Sequence, residues 1–388
     1  MEYSSFERVK SALAHKEADR IPFDLGATGQ TGINKIAYSN LRKYLGMEKT
    51  SCEISDILQQ LARVDEDLIE KLKVDVVGIN PSGPIVKGRL TDVNEEGSYY
   101  KLVDEWGIKW KMPIEHGHYF DMYEAPLQDI TFYDDIKSYK IPDGADEGRF
   151  ITLRKQVDEC VGVKERAFVL GRHYAGIFET ASWLRGMENF LCDMAIDRGL
   201  AEGLLDLATE NKIQYWKKAI ETAGENVLVV AEADDLATQN SLLISKDMYR
   251  KIIKPRHKRL CEAIRKAAGR NIGIFFHCCG AVKELIPDLI EAGFDILNPI
   301  QVSASEIDTK ELKRLFGKDI IFWGGGCDTQ YILPRGTIQE VKDETKRRIE
   351  DLAPGGGFIF ATVHNIQSDV PPQNIMAMWE TFMEYNKY

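Results

Sequence analysis

The sequence predicts an α/β fold, a (β/α)8 TIM barrel, on three observations. From Ile21 onward, about eight short apolar runs alternate with stretches of helical spacing, the pattern of a barrel in which a helix follows each strand. Residues able to bind metals, anions or protons collect directly after those runs. One stretch, about 81–142, departs from the alternation and reads as an inserted β-hairpin region after the second strand, too short and broken to hold its own core. The whole chain, 1–388, is therefore expected to be a single barrel domain carrying that insertion.

In chain order, Ser4 to Ala18 has helical spacing with Phe6, Val9 and Leu13 on one face. Ile21 to Leu25 is the first strand and Gly26 to Gly32 the loop after it. That loop lacks the lysine of a phosphate-binding loop and the spacing of a dinucleotide fingerprint, so it reads as a turn. Helical patterns run through Leu45 and from Ile54 to Leu72, ahead of the second strand, Val74 to Ile79. In the insertion, Ser98 to Val103 and Gly107 to Met112 are the extended runs. The remaining strands are expected at Phe168–Gly171, Val227–Ala231, Gly273–Phe276, Asp295–Asn298, Ile320–Trp323 and Gly357–Ala361, with a closing helix from about Pro372.

Composition limits the partners. A net charge of -11, with both signs mixed along the chain, offers no basic face for nucleic acid. No apolar run approaches the roughly 20 residues of a membrane span, and the first residues lack a signal-peptide pattern, so the expected location is cytoplasmic. The 7 cysteines are odd in number and scattered, which favours reduced thiols with metal-binding or catalytic roles over a disulfide framework.

The strand ends carry the chemistry. His277 and Cys279 follow the fifth strand and Cys327 the seventh, giving a three-ligand set suited to zinc with a fourth position open. Cys278, on the opposite side of the pleat, is expected to pack. Glu232 and Asp235, in the acidic run after the fourth strand, are acid/base candidates, with capping as the alternative role of Asp234 or Asp235. His364, after the eighth strand, is a further catalytic or ligand candidate. Asp24, Arg172, His173, Asn298 and Gln301, also at strand ends, are expected to face substrate. Arg172 with His173 either binds an anionic group or pairs with Glu179. Tyr174, Phe178 and Trp183 either line an aromatic-binding mouth or belong to the core.

Several motifs together resemble a known group. They are Arg20-Ile-Pro22, Asp104-Glu-Trp-Gly107, Gly176-Ile-Phe-Glu179, Leu184-Arg-Gly186, Asp234-Asp235, Ile244-Ser245, Tyr249 and Lys254-Pro-Arg256. His277-Cys-Cys-Gly280, Asn298-Pro-Ile-Gln301, Trp323-Gly-Gly325, Ala353 to Gly357, and His364-Asn-Ile-Gln367 with Pro371-Pro372 complete the set. Over nearly the whole chain they resemble the uroporphyrinogen decarboxylase-like superfamily, and within it the corrinoid-dependent zinc methyltransferases. The resemblance implies a barrel holding Zn2+, a small methylated substrate, and a partner corrinoid (cobalamin) protein whose cobalt exchanges the methyl group. A methoxylated aromatic is the favoured donor among O-, S- and N-methyl compounds. In the coenzyme M branch a later cysteine follows the last strand in a Pro-Gly-Cys context. This chain has Pro354-Gly-Gly356 there, so Cys327 or His364 must supply the third ligand.

Two other readings follow from the same resemblance. A true decarboxylase would grip porphyrin carboxylates with arginines on its early strand, whereas Phe23 to Gly29 contains none. A non-enzymatic corrinoid-binding protein would need the cobalt to arrive on another chain, since no Asp-x-His-x-x-Gly motif is present.

Overall fold

The computed structural model describes residues 2–49, 51–84, 92–163 and 165–388. A helix, Ser5–Leu13, opens the chain, its first turn closed by a Ser4–Glu7 capping box. Three short strands, β1 (Ile33–Asn34), β2 (Ile54–Asp56) and β3 (Leu61–Ala62), pair antiparallel in the order β1-β3-β2. Here the structure corrects the helix expected from Ile54. Asp56 accepts from the backbone N–H of Gln59 at 2.9 Å and Gln60 takes φ of 55°, so the segment folds back as a tight turn between strands. Only Glu66–Lys71 becomes helical.

Strand β4 (Val76–Ile79) enters the barrel, and the insertion follows it. The insertion is more than a hairpin: β5 (Asn94–Glu96), β6 (Tyr99–Val103), β7 (Lys109–Pro113) and β8 (Asp121–Glu124) form a four-stranded antiparallel sheet in sequence order. Its residues 85–91 lie outside the described residues.

The barrel continues with β9 (Ala167–Leu170), β10 (Val229–Ala233), β11 (Gly273–His277), β12 (Ile296–Asn298), β13 (Ile321–Trp323) and β14 (Phe358–Ile359). With β4 these make a seven-stranded parallel sheet in sequence order. The eighth position is held by the segment expected as the first strand. Phe23 bridges Phe360 and Asp24 bridges Val76, both parallel, and the Asp24 N–H donates to the Phe360 carbonyl at 2.9 Å. The sheet thus closes on itself and has no free edge.

Pleating sorts the side chains. Val76, Val169, Val229, Ala231, Phe275, Ile321, Trp323 and Ile359 point inward and fill the barrel, while Val9 and Ala12 of the first helix join the same cluster. Val230, Ile274, Phe276, Leu297, Phe322 and Phe358 alternate with them and belong to the larger cluster against the helices. That larger cluster also takes in Leu102, Trp106 and Trp110 of the insertion. Among the described residues no helix is long and apolar enough to cross a membrane.

Candidate functional site

Because the barrel strands are parallel, their C-terminal ends share one face, and His277 is the last residue of β11 on that face. The inward phase of β11 runs through Phe275 to His277, so the imidazole rises from the top of the filled interior. Its Nδ1 lies 2.6 Å from Asn298 Oδ1, an acceptor, which fixes the proton on Nδ1 and leaves the lone pair on Nε2. Asn298, the last residue of β12, is held in turn by donating to the Trp323 carbonyl at 2.8 Å.

The free Nε2 is 3.4 Å from Cys279 Sγ. The Cys279 N–H donates to Asp235 at 2.8 Å, and the Gly280 N–H donates to Gln301 at 2.7 Å, so two side chains pin the turn after β11. His364 completes the group, its ring centroid 5.4 Å from that of His277. One ligand atom from each of His277, Cys279 and His364 lies within 4.8 Å of the others. Burial lowers the pKa of both histidines, keeping them neutral, and pushes the Cys279 thiol up, with Asp235 and Glu179 acting the same way. Neutral imidazoles and a thiol able to lose its proton to a cation are a donor set that zinc accepts.

The loop bearing His364 is secured from several sides. Thr362 Oγ1 donates to the His364 carbonyl at 2.6 Å, and Asn365 donates to Gln59 at 2.8 Å. Tyr119, just before β8 of the insertion, donates to Gln367, so the inserted sheet reaches this face of the barrel.

Cys327 is not brought to the group. Its sulfur is fully buried, 4.0 Å from the Asp328 carbonyl, with burial and Glu344 raising its pKa. Gly324 and Gly325 before it take φ of 90° and 84°, which turns the chain out of the strand pleat. A Cβ at Gly324 would sit 2.9 Å from the Thr362 carbonyl oxygen, so the turn depends on glycine.

Glu232 is also elsewhere. In β10 the inward residues are Val229 and Ala231, so Glu232 faces the helix layer, where it pairs with Lys212 at 2.8 Å and accepts from Trp216 Nε1. Asp235 does reach the mouth, its carboxylate 3.9 Å from His277 Nε2. Asp234 is a cap: it accepts from the N–H groups of Phe178 and Glu179, at 3.0 and 2.9 Å, and pairs with His257 at 2.7 Å.

Asn298 and Gln301 therefore use their amide oxygens to hold the His277 to Gly280 segment, and their amide nitrogens donate to the Trp323 carbonyl and to Gln239. Asp24 sits buried between the Trp323 Nε1 donor at 2.7 Å and the Ala27 N–H at 2.8 Å, and burial pushes its carboxyl up to about 7. His173 packs against Tyr215, with ring centroids 4.6 Å apart, on the side of the helix Arg198–Ala223. Cys278 is fully buried, and its sulfur accepts from the Leu236 N–H, a packing role. Tyr174 and Trp183 interlock with Trp106 and Trp110 of the insertion, and Phe178 packs on Phe190, so these aromatic rings belong to the core.

One residue at this face escaped the sequence reading as a site candidate. Glu179, in the first turn of the helix Ile177–Arg185, has its carboxyl pushed up to about 8, first by burial and then by the carboxylates of Asp235 and Asp234. The available signal was its place in Gly176-Ile-Phe-Glu179, directly after the strand end carrying Arg172.

Comparison with known proteins agrees with the fold. A methylated-thiol–coenzyme M methyltransferase of Methanosarcina mazei is 24% identical over 275 residues, 70% of this chain and 65% of that protein. A methylcobamide:CoM methyltransferase, MtaA, of Methanosarcina barkeri is 28% identical over 209 residues, 53% of this chain and 55% of that one. The matches thus span between about half and two thirds of the length of these relatives. A solved structure, a methyltransferase from Methanosarcina mazei, shares the fold with a TM-score of 0.67 at 21% identity, over 99% of both chains. The signature of the uroporphyrinogen decarboxylase (URO-D) family matches residues 123–385, from the end of the insertion to the closing helix, and the chain belongs to that family.

Proposed function

We propose that the protein is a zinc-dependent methyltransferase that moves a methyl group between a small O-, S- or N-methylated compound and the cobalt of a partner corrinoid protein. The observation that carries this reading is the convergence of His277, Cys279 and His364 at the open end of the barrel. The two methyltransferases of Methanosarcina with related sequences support the reaction class. Three protein ligands with a fourth position open are the arrangement of a catalytic rather than a structural zinc. When bound there, zinc supplies Lewis acidity toward the methyl-bearing heteroatom.

The chain's own residues do the positioning. Asn298 holds His277 in the tautomer that presents Nε2. Asp235 and Gln301 fix the Cys279–Gly280 backbone. Cys279 would give up its thiol proton on metal binding, and His364, expected from sequence as catalytic, would serve as the third ligand in place of Cys327. Glu179, its carboxyl pushed up to about 8, is the proton-holding group beside the ligands, and the Asp235 carboxylate borders it. With Tyr174, Phe178 and Trp183 committed to packing, an aromatic donor has no special support, and the donor class stays at small methylated molecules.

Metal analysis and methyl transfer test this. The purified protein should hold stoichiometric zinc, Cys279→Ser should lose metal and activity together, and a mixture with cobalt(I) corrinoid and methylated compounds should form methylcobalamin. Absence of zinc binding, or a Cys279→Ser protein that keeps both metal and activity, rejects the proposal.

A further inference from the structure

Arg172 follows β9 at the open face of the barrel and is only partly exposed. β9 pairs in parallel with β10, so Arg172 and Asp235, which follow the two strands, leave the barrel at the same C-terminal face. Among the described residues, every other arginine that is not exposed is engaged. Arg8 pairs with Asp75, Arg149 with Glu105, and Arg185 with Asp193, for example. Arg172 alone of these makes no hydrogen bond or ion pair with a described residue. Pairing with Glu179 is not realised, because Glu179 closes on the Gly176 N–H at 3.1 Å, and Asp235 is taken by the Cys279 N–H.

A half-buried guanidinium whose donors meet no acceptor among the described residues keeps them available to a partner from outside. Its planar fork matches the two oxygens of a carboxylate in a way that a point charge does not. We propose that Arg172 is the specificity-determining residue of the mouth, and that the substrate is a small methylated molecule bearing a carboxylate that docks on it. The inference rests on the proposed methyl transfer only for the methylated part of the substrate.

Matched pairs test it: 3-methoxybenzoate against 3-methoxybenzamide, and 3-(methylthio)propanoate against its amide. Binding to the protein as purified is measured by titration calorimetry, and methyl transfer to cobalt(I) cobalamin is measured separately. At least one carboxylate should bind about tenfold or more tighter than its amide. Arg172→Ala should abolish that preference, and Arg172→Lys, which keeps charge without the fork, should restore part of it. Zinc content and the circular dichroism spectrum should be unchanged in both variants. Equal binding of acid and amide, no binding of any carboxylate, or a preference that survives in Arg172→Ala overturns the inference. Carboxylates that bind through Arg172 without methyl reaching cobalt would reject methyl transfer and leave the inference standing. Transfer from neutral donors that Arg172→Ala leaves intact would do the reverse.

Discussion

Asn298→Ala is the most informative single change, because it touches no ligand atom of the proposed metal group and still should weaken it. Asn298 is fully buried and uses both ends of its amide, accepting from His277 Nδ1 at 2.6 Å and donating to the Trp323 carbonyl at 2.8 Å. Alanine leaves a buried N–H and a buried carbonyl without partners, each worth about 1–3 kcal/mol, so the metal-free protein should lose about 2–6 kcal/mol. For 388 residues the unfolding entropy is about 0.8 kcal/mol/K, which converts the loss to a fall in Tm of about 3–7 °C. The imidazole, free to rotate or change tautomer, should bind metal about 10- to 100-fold more weakly. Competition with a zinc-binding dye reads the affinity, and thermal unfolding with and without zinc reads the stabilisation that the metal confers. Asn298→Asp keeps an acceptor for Nδ1 and should hold metal closer to the wild-type affinity. If Asn298→Ala lowers Tm but binds zinc as tightly as the wild type, Asn298 does not orient a ligand and the reasoning fails.

Three further tests separate packing from chemistry. Glu232→Gln strips the buried Lys212 of its counter-ion and should cost about 3–5 kcal/mol, roughly 4–6 °C in Tm, while activity per folded molecule and zinc content stay unchanged; a selective loss of activity would return Glu232 to the site. Cys327→Ala should retain stoichiometric zinc while His364→Ala loses it, and the opposite result by metal analysis would reinstate the cysteine. Asp24 gives a pH test: its folded pKa, about 7, exceeds the usual 3.8, so the fold favours the protonated form. Its contribution is fully present below about pH 4 and is lost as pH rises toward 7, a change on the order of 4 kcal/mol. Urea unfolding of Asp24→Asn should lack that slope between pH 4 and 7, and a slope identical to wild type would show that other groups produce it.

What could be read from the sequence was whatever depends on local periodicity. Short apolar runs set the barrel strands, and the extended backbone after Phe276 correctly sent His277 and Cys279 one way and Cys278 the other. What could not be read depends on where a pleat ends. Glu232 looked terminal because the apolar run stops at Ala231, yet β10 continues to Ala233, and one more step of alternation puts Glu232 outside the barrel. Cys327 failed for the opposite reason. The strand stops at Trp323, and two glycines at positive φ rotate the chain before the cysteine is reached. The insertion showed two of its four strands, because β5 is polar and exposed on both faces, and β8 is four residues long with no fully buried position to mark its inner face.

The acidic pair after β10 shows how one such step distributes roles. Asp234 turns away from the mouth and accepts two N–H groups at the start of the helix Ile177–Arg185, so it fixes that helix against the barrel. Glu179 lies in the anchored turn, and its placement beside Asp235 follows from the cap. The carboxyl proton that Glu179 holds near neutral pH therefore depends on a neighbour whose carboxylate is spent on Phe178, Glu179 and His257 and not on the ligands. Asp235, one residue on, faces His277 and steadies Cys279 instead. Adjacent aspartates thus split between the two tasks, one building the wall of the mouth and the other bordering its reactive groups. For that reason Asp234→Asn should disturb Glu179 as well as stability, whereas Asp235→Asn should act on the ligands directly.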